Sequence, residues 1–236
     1  MTSERPTVAI LCGGRGTRLR ERTETVPKAL VEIGGRPILW HVISIYIAQG
    51  FRSFLLATGY LGEAVEEFVA GEAWPEGIEV KCVDTGVDTP TGGRIAALGG
   101  RLDDGTFCVT YADGVADVDL DALLDFHTEQ GRLATMTVVR PHLQWGVAEL
   151  DGDGRVEGFI EKPRSEHWIN GGFFVLEPGV LRYLDRESVL EREPLTRLAD
   201  DGQLSAYRHS GFWDCMDTYK DAVALNDLWE AGKAPW

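Results

Sequence analysis

The chain has 236 residues, 44% hydrophobic and 26% charged, a balance that suits a globule large enough to bury its own core and excludes disordered, collagen-like and coiled-coil chains. No apolar run reaches the roughly 18 residues of a membrane span. Lys plus Arg number 23 against 38 Asp plus Glu, a net charge of −15, which excludes a general nucleic-acid binder with a basic face. The charge is uneven: residues 1–40 hold seven Arg or Lys and only four acids, a basic pocket in an acidic body that suits a small anionic ligand. Met1 to Pro6 lack an apolar signal core, and Cys12, Cys82, Cys108 and Cys215 form no CxxC pair, so reduced, buried thiols in a cytoplasmic protein are expected.

In chain order, Thr7–Cys12 reads as a buried strand, followed by a Gly/Arg-rich loop to Pro27. Helical spacing predicts a helix over Pro37–Gln49, stopped by Gly50. Ser53–Thr58 and Ile78–Val83 read as strands around a helix over Leu61–Ala70, and residues 84–93 as a loop. Thr106–Tyr111 is a strand, Asp119 or Asp121 caps a helix to Gln130, and Leu133–Arg140 is a further strand. This alternation predicts an α/β fold, a mostly parallel sheet with helices on both faces. Beyond residue 140 the pattern turns β-rich and mixed. Trp145–Leu150 and Arg155–Ile160 form a hairpin around Asp151-Gly152-Asp153-Gly154, and Gly172–Leu176, Leu204–Arg208 and Gly211–Cys215 are strands. Short helices fall at 178–184 and 194–200, and a closing helix at Thr218–Ala231. No linker or repeat interrupts the chain, so residues 1–236 read as one domain.

Three segments carry chemistry. The loop Gly13-Gly14-Arg15-Gly16-Thr17-Arg18-Leu19 follows the first strand, where glycines let backbone N–H groups face an anion and Arg18 adds a planar fork of donors. It is neither a Walker A loop, which needs Gly-Lys-Ser/Thr, nor a dinucleotide fingerprint, because Leu19 stands where the third glycine belongs. Asp113 ends a predicted parallel strand, the edge where open α/β sheets bind ligands, and a carboxylate there suits Mg²⁺ and phosphate oxygens. Lys162, in Glu161-Lys162-Pro163, could meet a phosphate, and Asp217 precedes a helix that it or Thr218 could cap. The five histidines show no HExxH pairing, and no G-x-S-x-G elbow is present, so zinc hydrolysis and acyl transfer are not supported.

Taken together, GGRGTRL at 13–19, Pro27-Lys28, Asp113, Glu161-Lys162-Pro163 and Asp217 resemble the sugar-1-phosphate nucleotidylyltransferases. The likeness covers nearly the whole chain. Thr91-Gly92-Gly93-Arg94, Tyr111–Asp119, Trp168–Leu176, Glu193-Pro194-Leu195 and Met216-Asp217-Thr218 are most similar to the glucose-1-phosphate cytidylyltransferase branch. The resemblance implies a Rossmann-like, mostly parallel mixed sheet flanked by helices, with a nucleotide-binding half at 1–140 and a small β-rich sugar-binding half at 141–236. It implies CTP and glucose 1-phosphate as substrates, Mg²⁺ as cofactor, a homo-oligomer, and no nucleic-acid or membrane partner. Carried over position by position, Arg18, Lys28, Asp113 and Lys162 would be catalytic. Leu11, Gly13, Gly14, Gly16, Thr17, Arg18, Lys28, Thr89, Gly92, Gly93 and Arg94 would bind the nucleotide, and Glu161, Lys162, Asn170, Gly171 and Gly172 the sugar. Asp113 and Asp217 would ligate the metal. The same reaction with another nucleotide or another sugar or cyclitol phosphate stays open, as do a non-catalytic nucleotide-sugar binder and a glycosyltransferase using Asp117-Val118-Asp119.

Overall fold

The centre of the fold is β1 (Val8–Leu11), four residues buried at every position. In the computed structural model, which describes residues 5–16, 26–102 and 105–236, Val8 and Ile10 point into one hydrophobic core and Ala9 and Leu11 into another, as the two-residue period of a strand requires. β1 pairs in parallel with β4 (Ser53–Thr58) on one side and β6 (Phe107–Tyr111) on the other. β5 (Glu79–Asp84) extends the sheet beyond β4. Beyond β6 come β11 (Ile169–Leu176), antiparallel to both its neighbours, then β8 (Ala134–Val139), then β12 (Leu204–Arg208), which is parallel to β8. The seven-stranded order is β12-β8-β11-β6-β1-β4-β5. The mixed, mostly parallel sheet expected from the sequence is therefore present. Two strands from the β-rich half, β11 and β12, complete it.

Among the described residues six α-helices flank the sheet: α1 (Ile38–Ala48), α2 (Gly62–Gly71), α3 (Thr91–Leu98), α4 (Leu120–Gln130), α5 (Glu193–Asp200) and α6 (Tyr219–Glu230). α1 buries Ile38, Leu39, Val42 and Ile43 against Val8 and Ile10, each buried side chain worth roughly 1.5–3 kcal/mol in apolar area removed from water. α4 starts where Asp119 accepts the Ala122 N–H at 2.9 Å and ends at Gly131, in the left-handed region.

α3 departs from the sequence expectation, which put a loop through Gly93. Glycine disfavours a helix interior, so the Thr91–Arg94 segment carries no local helical signal. Burial of Ile95 and Leu98 under the second core, together with Arg94, holds the turn instead. Among the described residues three two-stranded ribbons lie outside the main sheet. They are β2 (Glu32–Ile33) with β3 (Arg36–Pro37), β7 (Gly114–Ala116) with β13 (Trp213–Cys215), and β9 (Val147–Leu150) with β10 (Val156–Ile160).

Candidate active site

Leu11 and Tyr111 are register partners at the C-terminal ends of β1 and β6. The Gly13–Gly16 loop and Ala112-Asp113 therefore leave the sheet side by side, in the crevice where strand connections diverge and open α/β sheets bind ligands. The loop glycines have separate reasons. A Cβ on Gly13 would lie 2.1 Å from Nη1 of Arg94, and Gly16 takes a positive φ of 59°. Gly14 faces open space, leaving its backbone free to approach a ligand.

Pairing of β7 with β13 sets Cys215 opposite Gly114, and the Met216 N–H donates to the Asp113 carbonyl at 2.9 Å. Asp113, just before β7, and Asp217, just after β13, are thereby brought together from 104 positions apart in the chain. Lys28, at the start of a 3₁₀ turn over Lys28–Leu30, donates Nζ to Asp113 Oδ2 at 2.5 Å and to Asp217 Oδ1 at 2.7 Å. Thr218 takes the α6 cap through a reciprocal bond set with Asp221, so the Asp217 carboxylate is left to face the crevice. Burial works to lower the Lys28 pKa, but the two carboxylates outweigh it and hold it above the ordinary lysine value, so the ammonium stays charged at neutral pH.

Two carboxylate oxygens converging on one cationic point are the donor chemistry Mg²⁺ prefers. Among the described residues no cluster of three or more His, Cys, Asp or Glu could cage a metal. Two protein carboxylates completed by waters and phosphates is the Mg²⁺ pattern, and Asp113 and Asp217 fit it.

Two cavities meet at this pair. One of 320 Å³ is lined by Leu11, Gly14, Gly16, Lys28, Asp113 and Asp217, the other of 440 Å³ by Asn170, Gly171, Gly172, Trp213, Asp113 and Asp217. Tyr111 is common to both. Its ring lies 2.7 Å from where a Cβ on Gly172 would stand, and Gly172 has φ +81°, so glycine is required there twice over. Burial first, with Asp217, Asp113 and Asp214 adding to it, pushes the Cys215 thiol up to about 12, so it is a neutral wall of the second cavity.

The structure thus gathers Leu11, Gly14, Gly16, Lys28, Asp113, Asn170, Gly171, Gly172 and Asp217 around the two cavities, with Gly13 in the loop behind the first. Thr17 and Arg18 lie outside the described residues. Gly92, Gly93 and Arg94 are not brought to the crevice lining. A Cβ on Gly93 would lie 2.1 Å from the Arg186 carbonyl oxygen, and one on Gly92 2.8 Å from that of Ser188, so these glycines admit the 186–188 segment. Arg94 is 3% exposed and spends its donors on Thr58 O, Thr85 Oγ1, Gly86 O, Val87 O and Gly13 O. Thr89 donates to Thr85 O at 2.6 Å and lines a separate cavity with Gly93. Glu161 and Lys162 also lie apart, exposed beside the β9–β10 ribbon, 4.0 Å from each other. The chain leaving the ribbon is held instead to the segment after β8, where the Leu143 N–H donates to Pro163 O and the Ser165 N–H to Pro141 O, both at 2.8 Å. Sequence reasoning did not single out Glu191 or Trp213 as site residues. Trp213 Nε1 donates to Gly171 O at 2.7 Å, a contact no local pattern signals.

Comparison with known proteins shows the family and the fold. The nucleotidyl transferase family model matches residues 7–233. A glucose-1-phosphate cytidylyltransferase of Salmonella typhi is 42% identical over 96% of this chain and 97% of its own length. A mannose-1-phosphate guanylyltransferase catalytic subunit beta of Danio rerio is 35% identical over 90% of this chain and 61% of its own. The crystal structure of HddC from Yersinia pseudotuberculosis superposes with a TM-score of 0.77 at 21% identity, over 95% of this chain and all of that one, and shares the fold. The chain belongs to the nucleotidyl transferase family.

Proposed function

We propose that the protein makes CDP-glucose and pyrophosphate from CTP and glucose 1-phosphate. The observation that carries the reaction type is the meeting of two cavities on the Asp113–Lys28–Asp217 cluster. The 42% identity to a glucose-1-phosphate cytidylyltransferase over almost the full length of both chains supports the choice of substrates.

The chemistry requires a phosphate oxygen of the sugar to attack the α-phosphorus of the nucleotide while pyrophosphate departs in line. One P–O bond forms and one breaks. The attacking phosphate is already ionised near pH 7, so no general base is needed. The obstacle is bringing two polyanions together, which calls for positioning and positive charge. The 320 Å³ cavity, walled by the glycine loop and Lys28, suits the nucleotide, and the 440 Å³ cavity suits the sugar phosphate. Backbone N–H groups of the loop and the Lys28 ammonium face the triphosphate in this reading, with Arg18 as a further cation. Asp113 and Asp217 would hold Mg²⁺, which when bound neutralises charge on the phosphates and makes pyrophosphate a better leaving group. Asn170 and the Gly171-Gly172 backbone orient the sugar in this reading, while Glu161 and Lys162, which line neither cavity, would meet it only if the end of the β9–β10 ribbon moved inward. Incubation with CTP, glucose 1-phosphate and Mg²⁺ is expected to yield CDP-glucose by mass spectrometry, to stop with EDTA and to resume on adding Mg²⁺. Undiminished turnover in EDTA would sink the metal assignment.

We further infer a cytoplasmic homo-oligomer joined through the β9–β10 ribbon. The four free cysteines support the compartment, and no described helix is long and apolar enough to cross a membrane. The ribbon exposes Leu150, Val156, Phe159 and Ile160, with Phe159 64% exposed, and an isolated two-stranded ribbon is marginal without cover. Phe159→Glu is expected to lower the mass measured by light scattering to that of a monomer. An unchanged mass would remove the ribbon from the interface.

A further inference from the structure

A chain of hydrogen bonds runs from the start of α3 into the larger cavity, and its keystone, Glu191, has no part in the reading above. One Glu191 oxygen accepts from the Thr91 hydroxyl at 2.6 Å, and the other from the phenol of Tyr111. The Tyr111 oxygen accepts from Asn170 Nδ2 at 3.1 Å, and Asn170 Oδ1 accepts the Gly172 N–H at 2.8 Å. Every direction in this chain is forced. A carboxylate only accepts, so both hydroxyls donate to it. The phenol must then accept from Asn170, which fixes the amide with its NH₂ toward Tyr111 and its oxygen toward Gly172. Burial, and then the Glu191 charge, hold Tyr111 well above its ordinary pKa, so it stays a neutral donor.

The segment that carries Glu191 is itself seated. The Gly93 N–H donates to Ser188 O at 3.0 Å, and the Leu190 N–H to Thr91 Oγ1 at 2.9 Å. Gly92 and Gly93 leave the room for it. Three carboxylates, Asp113, Asp217 and Glu191, line the larger cavity. Asp113 and Asp217 share the Lys28 ammonium, whereas Glu191 is bonded only to the neutral Thr91 and Tyr111 hydroxyls among the described residues. A carboxylate offers about four acceptor sites, of which two are used on Glu191, so capacity remains for hydroxyls of a bound ring.

We propose that Glu191 sets specificity on the acceptor side, favouring a neutral, hydroxyl-rich sugar ring and rejecting a sugar phosphate whose ring carries a second anionic group. This rests on the reading that the larger cavity takes the sugar phosphate. Like charges forced together without a counter-charge weaken binding strongly, whereas ring hydroxyls can donate to the same oxygens.

The test compares kcat/KM for glucose 1-phosphate and glucuronate 1-phosphate, with CTP, in the wild type and in Glu191→Gln. The wild type is expected to prefer glucose 1-phosphate by about a hundredfold or more. Glu191→Gln keeps the shape and removes the charge, and is expected to narrow that preference at least about tenfold. The KM for glucose 1-phosphate should rise while kcat and the KM for CTP stay within about threefold. A measurement on the wild type alone guards against a misfolded variant. Raising KCl from about 0.05 to about 0.5 M is expected to narrow the preference, because charge repulsion is screened and a steric block is not. An equal loss for both sugars in Glu191→Gln, or a preference unmoved by salt, overturns the proposal. A wild type that makes no CDP-glucose overturns the underlying reading of substrates instead.

Discussion

Replacing Asp113 by asparagine is expected to lower kcat by on the order of a thousandfold, several kcal/mol of lost charge stabilisation in the transition state. Asn has nearly the same shape and can still accept one bond from Lys28, so the fold is expected to survive. What is lost is the anionic oxygen that converges with Asp217 on a single cationic point. Asp217→Asn is expected to behave alike, because the two carboxylates act on one centre, and the double variant should be little worse than either single one. Asp117→Asn is the control. Asp117 pairs with His209 Nε2 at 3.0 Å and lines neither cavity at the cluster, so its turnover is expected to stay within about threefold of wild type. Steady-state kinetics with thermal melting separates these outcomes. Surviving activity in Asp113→Asn with loss in Asp117→Asn would move the centre to Asp117-Val118-Asp119.

The second large effect is expected at Arg94, and it is a stability effect before it is a kinetic one. Its guanidinium lies buried between the loops after β1, β4 and β5, with no carboxylate against it among its hydrogen-bond partners. Burial lowers its pKa, yet a guanidinium remains charged at neutral pH. Nη1 reaches Thr58 O at 2.8 Å, Thr85 Oγ1 at 2.6 Å and Gly86 O at 3.0 Å, while Nη2 reaches Gly13 O at 2.8 Å. Arg94→Met removes up to five hydrogen bonds from a buried crossing of loops, although Gly13 O keeps the Tyr60 N–H and Thr58 O keeps the Thr85 N–H and hydroxyl, at a cost of about 2–4 kcal/mol. For a chain of this size that lowers the melting temperature by roughly 10 °C. Arg94→Lys is expected to recover only part of this, since one ammonium cannot span a fan of acceptors shaped for a planar fork. Because Gly13 O accepts from Arg94 as well as from the Tyr60 N–H, the glycine loop loses one of these two anchors, and the KM for CTP is expected to rise in whatever fraction stays folded. A melting temperature within about 2 °C of wild type for Arg94→Met would refute the anchoring role.

Arg94 also shows where sequence reasoning reaches its limit. An arginine after two glycines, in a segment rich in Thr and Asp, has the local features of a phosphate-binding loop. Its actual partners come from three other strand ends, and only the sheet order β6-β1-β4-β5 brings those ends together. The main sheet was legible because its signal is local: VAIL at 8–11, SFLLAT at 53–58 and FCVTY at 107–111 are apolar runs bounded by turns. Asp113 was legible from its position at a strand end, whereas Asp217 read as a loop aspartate before a helix and gained a metal-binding role only through the family resemblance. Their convergence is not local, because it depends on the Gly114–Cys215 register of a three-residue ribbon. Glu191 stands in a polar run, SVLEREP, where a charged residue looks like a solvated surface. Its role depends on Thr91 and Tyr111, 100 and 80 residues away.

The most direct test of the central claim is pyrophosphate release with glucose 1-phosphate and Mg²⁺, run separately with CTP, dTTP, UTP, ATP and GTP. Release with CTP at a kcat/KM at least about a hundredfold above the other four, together with CDP-glucose as the product, is the predicted result. A clear preference for another nucleotide would keep the reaction and contradict the cytidylyl assignment, and no release with any of the five would contradict glucose 1-phosphate as the acceptor.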